Sequence, residues 1–157
     1  MYAIGDKVSY PMHGAGFIQK IEERQILGET RSYYIVHIEH GNMQVMVPVI
    51  GYEKVGLRPI VKKSAIAGVL KTLGAESSPM DDNWNRRNRD NLERLKTGDL
   101  KEVAGVIRDL ARVDMVKKLS TGEKKLLSNA KIILASELAM VLGKSEENVL
   151  QMIEEAI

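Results

Sequence analysis

Up to about residue 60 the apolar positions recur every second residue in short runs. Lys7 to Tyr10 reads as a first strand, closed by Pro11 and the His13-Gly14-Ala15-Gly16 cluster, and Phe17 to Arg24 as a second. Leu27-Gly28-Glu29 turns the chain. Arg31 to Glu39 then alternates with Tyr34, Val36 and Ile38 on one face. After a tight turn at His40-Gly41-Asn42, Met43, Val45 and Val47 form the inward face of a strand ending at Pro48, and a last short strand is expected around Leu57. Five short strands in under 60 residues predict a small, strongly bent antiparallel barrel, because so few residues cannot build two packed sheets.

From Ser64 the period changes to that of a helix. Ser64 is placed to cap a helix with Ile66, Val69, Leu70 and Leu73 on its inner stripe, stopped by Gly74. The polar stretch Glu76 to Asp82 is a loop, and a second helix runs from Asn83 to Lys96, ended by Thr97-Gly98. Asp99 with Glu102, and Ser120 with Glu123, stand at capping-box spacing. Their helices turn Val103, Ile107 and Leu110, then Leu127, Ala130, Leu134 and Leu138 inward. Gly143 stops the fourth helix and Ser145 starts a fifth carrying Val149, Leu150 and Ile153. Strands segregated from helices predict an α+β chain in two domains, residues 1–60 and 64–157, and not an alternating α/β fold.

The 157 residues are 44% hydrophobic and 28% charged, enough to bury one modest core or two small ones. With no cysteine there is no disulfide, thiolate metal site or cysteine nucleophile. The opening MYAIGDKVSY lacks the form of a secretory signal and the apolar runs are too short to span a bilayer, so a cytoplasmic protein is expected. Net charge is only +2, but it is unevenly spread. Residues 84–131 hold six arginines and seven lysines, whereas 132–157 hold one lysine and five glutamates. A basic middle beside an acidic end fits either a phosphate footprint or a solvated helix face.

Candidate chemistry is sparse. The three histidines are His13, His37 and His40, and the last two would leave a strand on opposite faces, so no shared metal is expected. Gly14 and Gly16 lie in a strand connection and form no phosphate loop. Glu76, Asp81 and Asp82 are carboxylates without a partner histidine or glycine cradle, the ordinary composition of a solvated loop. No enzyme activity, metal or cofactor is expected.

The informative residue is Trp84, the only tryptophan. Its helix places Arg87, Asn88 and Asn91 on the following turns, where a core tryptophan would have apolar neighbours. Two readings stand: Trp84 folds back onto Leu92 or Leu95, or it is an exposed aromatic among arginines, suited to entering a minor groove and unstacking a base step.

Gly5-Asp6-x-Val8-x-Tyr10-Pro11-x-His13-Gly14-x-Gly16, with Asn83-Trp84-x-Arg86-Arg87 and Leu119-Ser120-x-Gly122-Glu123-Lys124, resembles the CarD/CdnL transcription regulators over essentially the whole chain. The first domain also resembles the polymerase-interacting module of the transcription-repair coupling factor. The resemblance implies a Tudor-like barrel that docks on the β subunit of bacterial RNA polymerase. It further implies a helical domain that reaches promoter DNA at the upstream edge of the bubble, in a monomer that is nucleoid-associated through the polymerase. By position it implies polymerase contact at Arg24, a groove wedge at Trp84, and basic DNA contacts at Arg86, Arg87, Arg89 and Lys124. Met46 stands where some relatives carry a second polymerase-contacting arginine, so docking here would lean on strand pairing or apolar contact. The competing class is a protein–protein adaptor without DNA binding, with Trp84 as a protein hot spot.

Overall fold

A computed structural model describes all 157 residues. Five strands come first: β1 (Lys7–Tyr10), β2 (Gly14–Ile26), β3 (Glu29–Ile38), β4 (Met43–Pro48) and β5 (Arg58–Pro59). They form one antiparallel sheet in the order β4-β3-β2-β1-β5. The sheet is barrel-like without closing, and β4 and the two-residue β5 are its edges. Val8, Ile18, Tyr34, Val36, Ile38, Val47 and Leu57 fill its core, with Tyr2 and Tyr52 packed edge-on against Tyr34. Tyr34, Val36 and Ile38 of β3 share the core face as expected, but Tyr33 and Ile35 on the other face are buried too, so burial along the strand does not alternate. Met43 shares the face of Val45 and Val47 but is 42% exposed, because it opens the strand at the sheet's rim.

Five helices follow: α1 (Ile66–Gly74), α2 (Trp84–Lys96), α3 (Leu100–Val116), α4 (Thr121–Leu142) and α5 (Glu146–Ala156). Asn83, Asp99, Ser120 and Ser145 cap the last four through their side chains, each satisfying backbone N–H groups that lack helical partners. Asp99 caps by accepting from Lys101 N–H. Ser64 does not cap α1; it lies inside a 3₁₀ turn, Lys63–Ala65, that leads into the helix at Ala65 without a side-chain bond. Gly143, with φ of 65°, ends α4 in the left-handed conformation that glycine adopts without strain. Leu73, Leu95, Ile107, Leu110, Leu134, Leu138 and Ile153 are fully buried at the centre of the helical core.

The sheet rests on α4. Ser136 Oγ accepts from Ala15 N–H at 3.1 Å, and a Cβ at Gly14, where φ is +95°, would overlap that same hydroxyl. Pro11 lies against both Gly56 and Gly98, so it bridges the sheet and the α2–α3 turn. Arg58 in β5 donates to both oxygens of Glu137 at 2.8 and 2.9 Å, and to Gly98 O. Glu137, wholly buried, also accepts from Val61 N–H at 2.9 Å. The Pro-x-His-Gly-x-Gly motif is therefore the joint between sheet and helices. No single helix is long and apolar enough to cross a membrane, and α4 spends its apolar length inside the core.

Candidate nucleic-acid interface

The start of α2 is set by a chain of side-chain caps. Asp81 Oδ1 accepts from Asn83 N–H at 2.8 Å, and Asn83 Oδ1 accepts from the N–H groups of Asn85 and Arg86. This fixes Trp84 as the first helical residue, with its side chain turned outward and 52% exposed. It does not fold back into the core beside Leu95.

One turn on, Arg87 Nε and Nη2 donate to the two oxygens of Glu123, both at 2.8 Å. Glu123 also closes the capping box of α4: its N–H donates to Ser120 Oγ, and Ser120 Oγ–H donates to its carboxylate. The Arg87 guanidinium holds the Glu123 carboxyl below its ordinary value against the opposing effect of burial, and Glu123 raises Arg87 in turn. The pair ties the starts of α2 and α4 together, with side chains only 11% and 3% exposed.

Around this tie stand the other cations. Arg86 is 64% exposed, with Asp81 at 3.5 Å. Arg89 and Lys124 are exposed and form no ion pair. Trp84 and Arg86 stand in the first turn of α2 and Lys124 in the first turn of α4, the two turns that the inward Arg87 and Glu123 hold together, while Arg89 lies further along the exposed side of α2. The rest of the basic middle is partly internal: Arg94 bonds Glu102 and Asp109, and Arg108 bonds Asp109.

Arg24 and Met46 lie elsewhere, on the sheet, and share its outer face. Tyr34 pairs with Val47 and Val36 with Val45 on the inner face; Ile35 pairs with Met46 and Arg31 with Arg24 on the other. A bulge between Ile18 and Lys20 puts Arg24 there, because one extra residue flips the alternation of everything after it. Both side chains are exposed, and Arg24 leans on Glu22 at 3.0 Å. His37 packs beside Phe17 and His40 lies 3.4 Å from Glu146; no group of three His, Cys, Asp or Glu side chains could hold a metal ion.

Two family models match in the order of the architecture: the CarD-like/TRCF RID domain over residues 2–61, and the CarD C-terminal domain over residues 68–154. The chain belongs to the CarD/CdnL family. As a CarD-like transcription regulator it is 37% identical over 149 residues to a Bacillus subtilis (strain 168) protein named "Putative transcription factor YdeB", covering 95% of this chain and 97% of that one. The CarD-family motifs seen in the sequence thus fall at the sheet–helix joint and at the capped starts of α2 and α4.

Sequence reasoning missed the Arg58–Glu137 bond and the inward role of Arg87. A signal existed for the first. Glu137 is the lone charge in the apolar run Ile132 to Val141 of α4, and a carboxylate there must find a buried cation or donor.

Proposed function

We propose that this CarD-like regulator docks on the β subunit of RNA polymerase through the outer face and β4 edge of its sheet, residues 1–60. On this reading its helical domain, residues 64–157, stabilises the promoter open complex by backbone contact and insertion of Trp84 into the minor groove. The observation that carries the reading is the exposed Trp84 at a capped helix start, with the exposed Arg86 in the same turn and the exposed Lys124 in the first turn of α4, which the Arg87–Glu123 pair ties to it. Aromatic and apolar wedges flanked by cations are how proteins unstack a base step without reading sequence.

A handful of phosphate contacts gives non-specific affinity on the order of 10⁻⁴ to 10⁻⁶ M, too weak for free DNA binding to matter. Docking on the polymerase raises the local concentration of DNA to about millimolar, which fills such a site. Tethering then replaces base readout, and promoter choice stays with the polymerase. A wedge gains energy only where the duplex is already distorted, so it favours the melted state over the closed one, as a population shift requires. On the sheet, the free edge of β4 offers strand pairing and Met46 an apolar contact, with Arg24 supplying charge. The direct test is the lifetime of polymerase–promoter open complexes with and without this protein: a longer lifetime is expected, and no change would contradict the reading.

A further inference from the structure

The end of the bundle that carries Trp84 also carries the turn between α3 and α4. The Arg87–Glu123 pair ties the start of α2 to the start of α4. α3 ends at Val116 and only residues 117–120 separate it from α4, so the end of α3 lies close to that tie. The helices have three exposed large apolar side chains, and all are here: Trp84, Met115 at 83% and Val116 at 89%.

An exposed apolar residue standing singly needs no explanation. These two adjoin exposed cations. Lys117 and Lys118 follow directly, and neither they nor Lys124 and Lys125 form an ion pair. Most acids nearby are engaged: Asp81 with Arg86, Glu123 with Arg87, and Asp114 by Leu119 N–H; Asp82 is exposed. The result is an apolar lip bordered by unneutralised lysines, whose charge complements a polyanion.

We propose that the α3–α4 turn is a second DNA contact beside Trp84. Lys117 and Lys118 hold phosphates, and Met115 and Val116 lie against the sugars at the groove edge. The proposal rests on the DNA-facing role of Trp84 and extends the interface beyond it. It widens the grip from one helix start to three converging helix ends, so that the wedge is flanked on both sides.

The test uses the full-length protein bound to polymerase and promoter. A photo-crosslinking benzoylphenylalanine is placed at position 115 or, separately, at position 84, and the salt dependence of open-complex stabilisation is measured for the Lys117→Ala/Lys118→Ala variant. Position 115 is expected to crosslink to DNA. Two lost phosphate contacts should lower the salt slope by about 1.8, so that the loss between 50 and 200 mM salt is roughly tenfold smaller than in wild type. Crosslinking from position 84 to DNA, with position 115 reaching only protein and the slope unchanged, would overturn this inference and leave the wedge intact. Failure of both positions to reach DNA, with no effect of wild type on open-complex lifetime, would overturn the wedge and this inference together.

Discussion

Glu137, wholly buried in α4, receives both terminal nitrogens of Arg58 from the last strand and the N–H of Val61 from the connecting segment. Three parts of the chain meet on one carboxylate, which makes the sheet and the helices one body. On the proposed reading, a sheet docked on the polymerase would carry Trp84 with it at a set distance.

Glu137→Ala should therefore act twice. Leaving Arg58 without its carboxylate should cost about 3 to 5 kcal/mol, the usual penalty for breaking a buried pair from one side. At about 2 to 4 °C per kcal/mol for a protein of this size, thermal unfolding should fall by roughly 6 to 20 °C. Below that lowered midpoint the variant should still bind polymerase but prolong the open complex less than wild type. Calorimetry and open-complex decay check the two effects; an unchanged midpoint would remove Glu137 from the joint.

Arg87 is predicted to matter for stability first. Arg87→Met should cost about 3 kcal/mol, at the low end for a buried pair because its edge reaches water. A guanidinium free to grip phosphate would cost almost nothing on removal, so thermal unfolding distinguishes the two roles.

The same pair sets an acid limit. Glu123 has a folded pKa below its unfolded value, so the unfolded chain takes up the proton first as pH falls. Its stabilisation is complete above the ordinary carboxylate range and is lost as pH drops through the lowered value. Stability measured from pH 7 down to 3 should decline less steeply in Glu123→Gln than in wild type; parallel curves would contradict the tie.

Most of the fold was legible because its signals are local. The capping residues Asn83, Asp99, Ser120 and Ser145 and the glycine stop at 143 need only neighbouring sequence to act. Ser64 failed because Lys63–Ala65 tightens into a 3₁₀ turn before the helix begins. The face on which Arg24 lies depends on a one-residue bulge that alternation cannot reveal, since the shift appears only in pairing with β3. The polar neighbours of Trp84 leave two readings of it open, and the structure favours the exposed one although those neighbours are not themselves solvated. Arg87 and Asn91 are turned inward, and an arginine bound to a carboxylate reads in sequence like one waiting for a phosphate.

Arg24→Glu should weaken binding to the polymerase β subunit while leaving the fold intact, because its side chain is exposed and its bond to Glu22 is a surface one. A pull-down in which this variant binds like wild type would take Arg24 out of the docking face.

Arg86, Arg89 and Lys124 should act through phosphate charge alone. Replacing all three with Ala should lower the salt slope of DNA engagement in the polymerase-bound complex by about 0.9 for each lost contact, at any promoter. Equal slopes for wild type and the triple variant would refute the assignment.

The wedge mechanism depends on Trp84. Because its side chain is half exposed, Trp84→Ala should change stability by less than about 1 kcal/mol, and polymerase binding through the sheet should survive. Removing an aromatic that stacks on a base costs about 1 to 3 kcal/mol, which is roughly 5- to 150-fold in the stability of the complex. The decisive measurement is open-complex lifetime at saturating Trp84→Ala protein, with thermal unfolding and polymerase binding measured on the same preparation. The expected result is a folded, polymerase-bound variant that no longer prolongs the open complex as wild type does. A folded, bound variant that prolongs it equally would contradict the wedge and favour an adaptor that works without DNA.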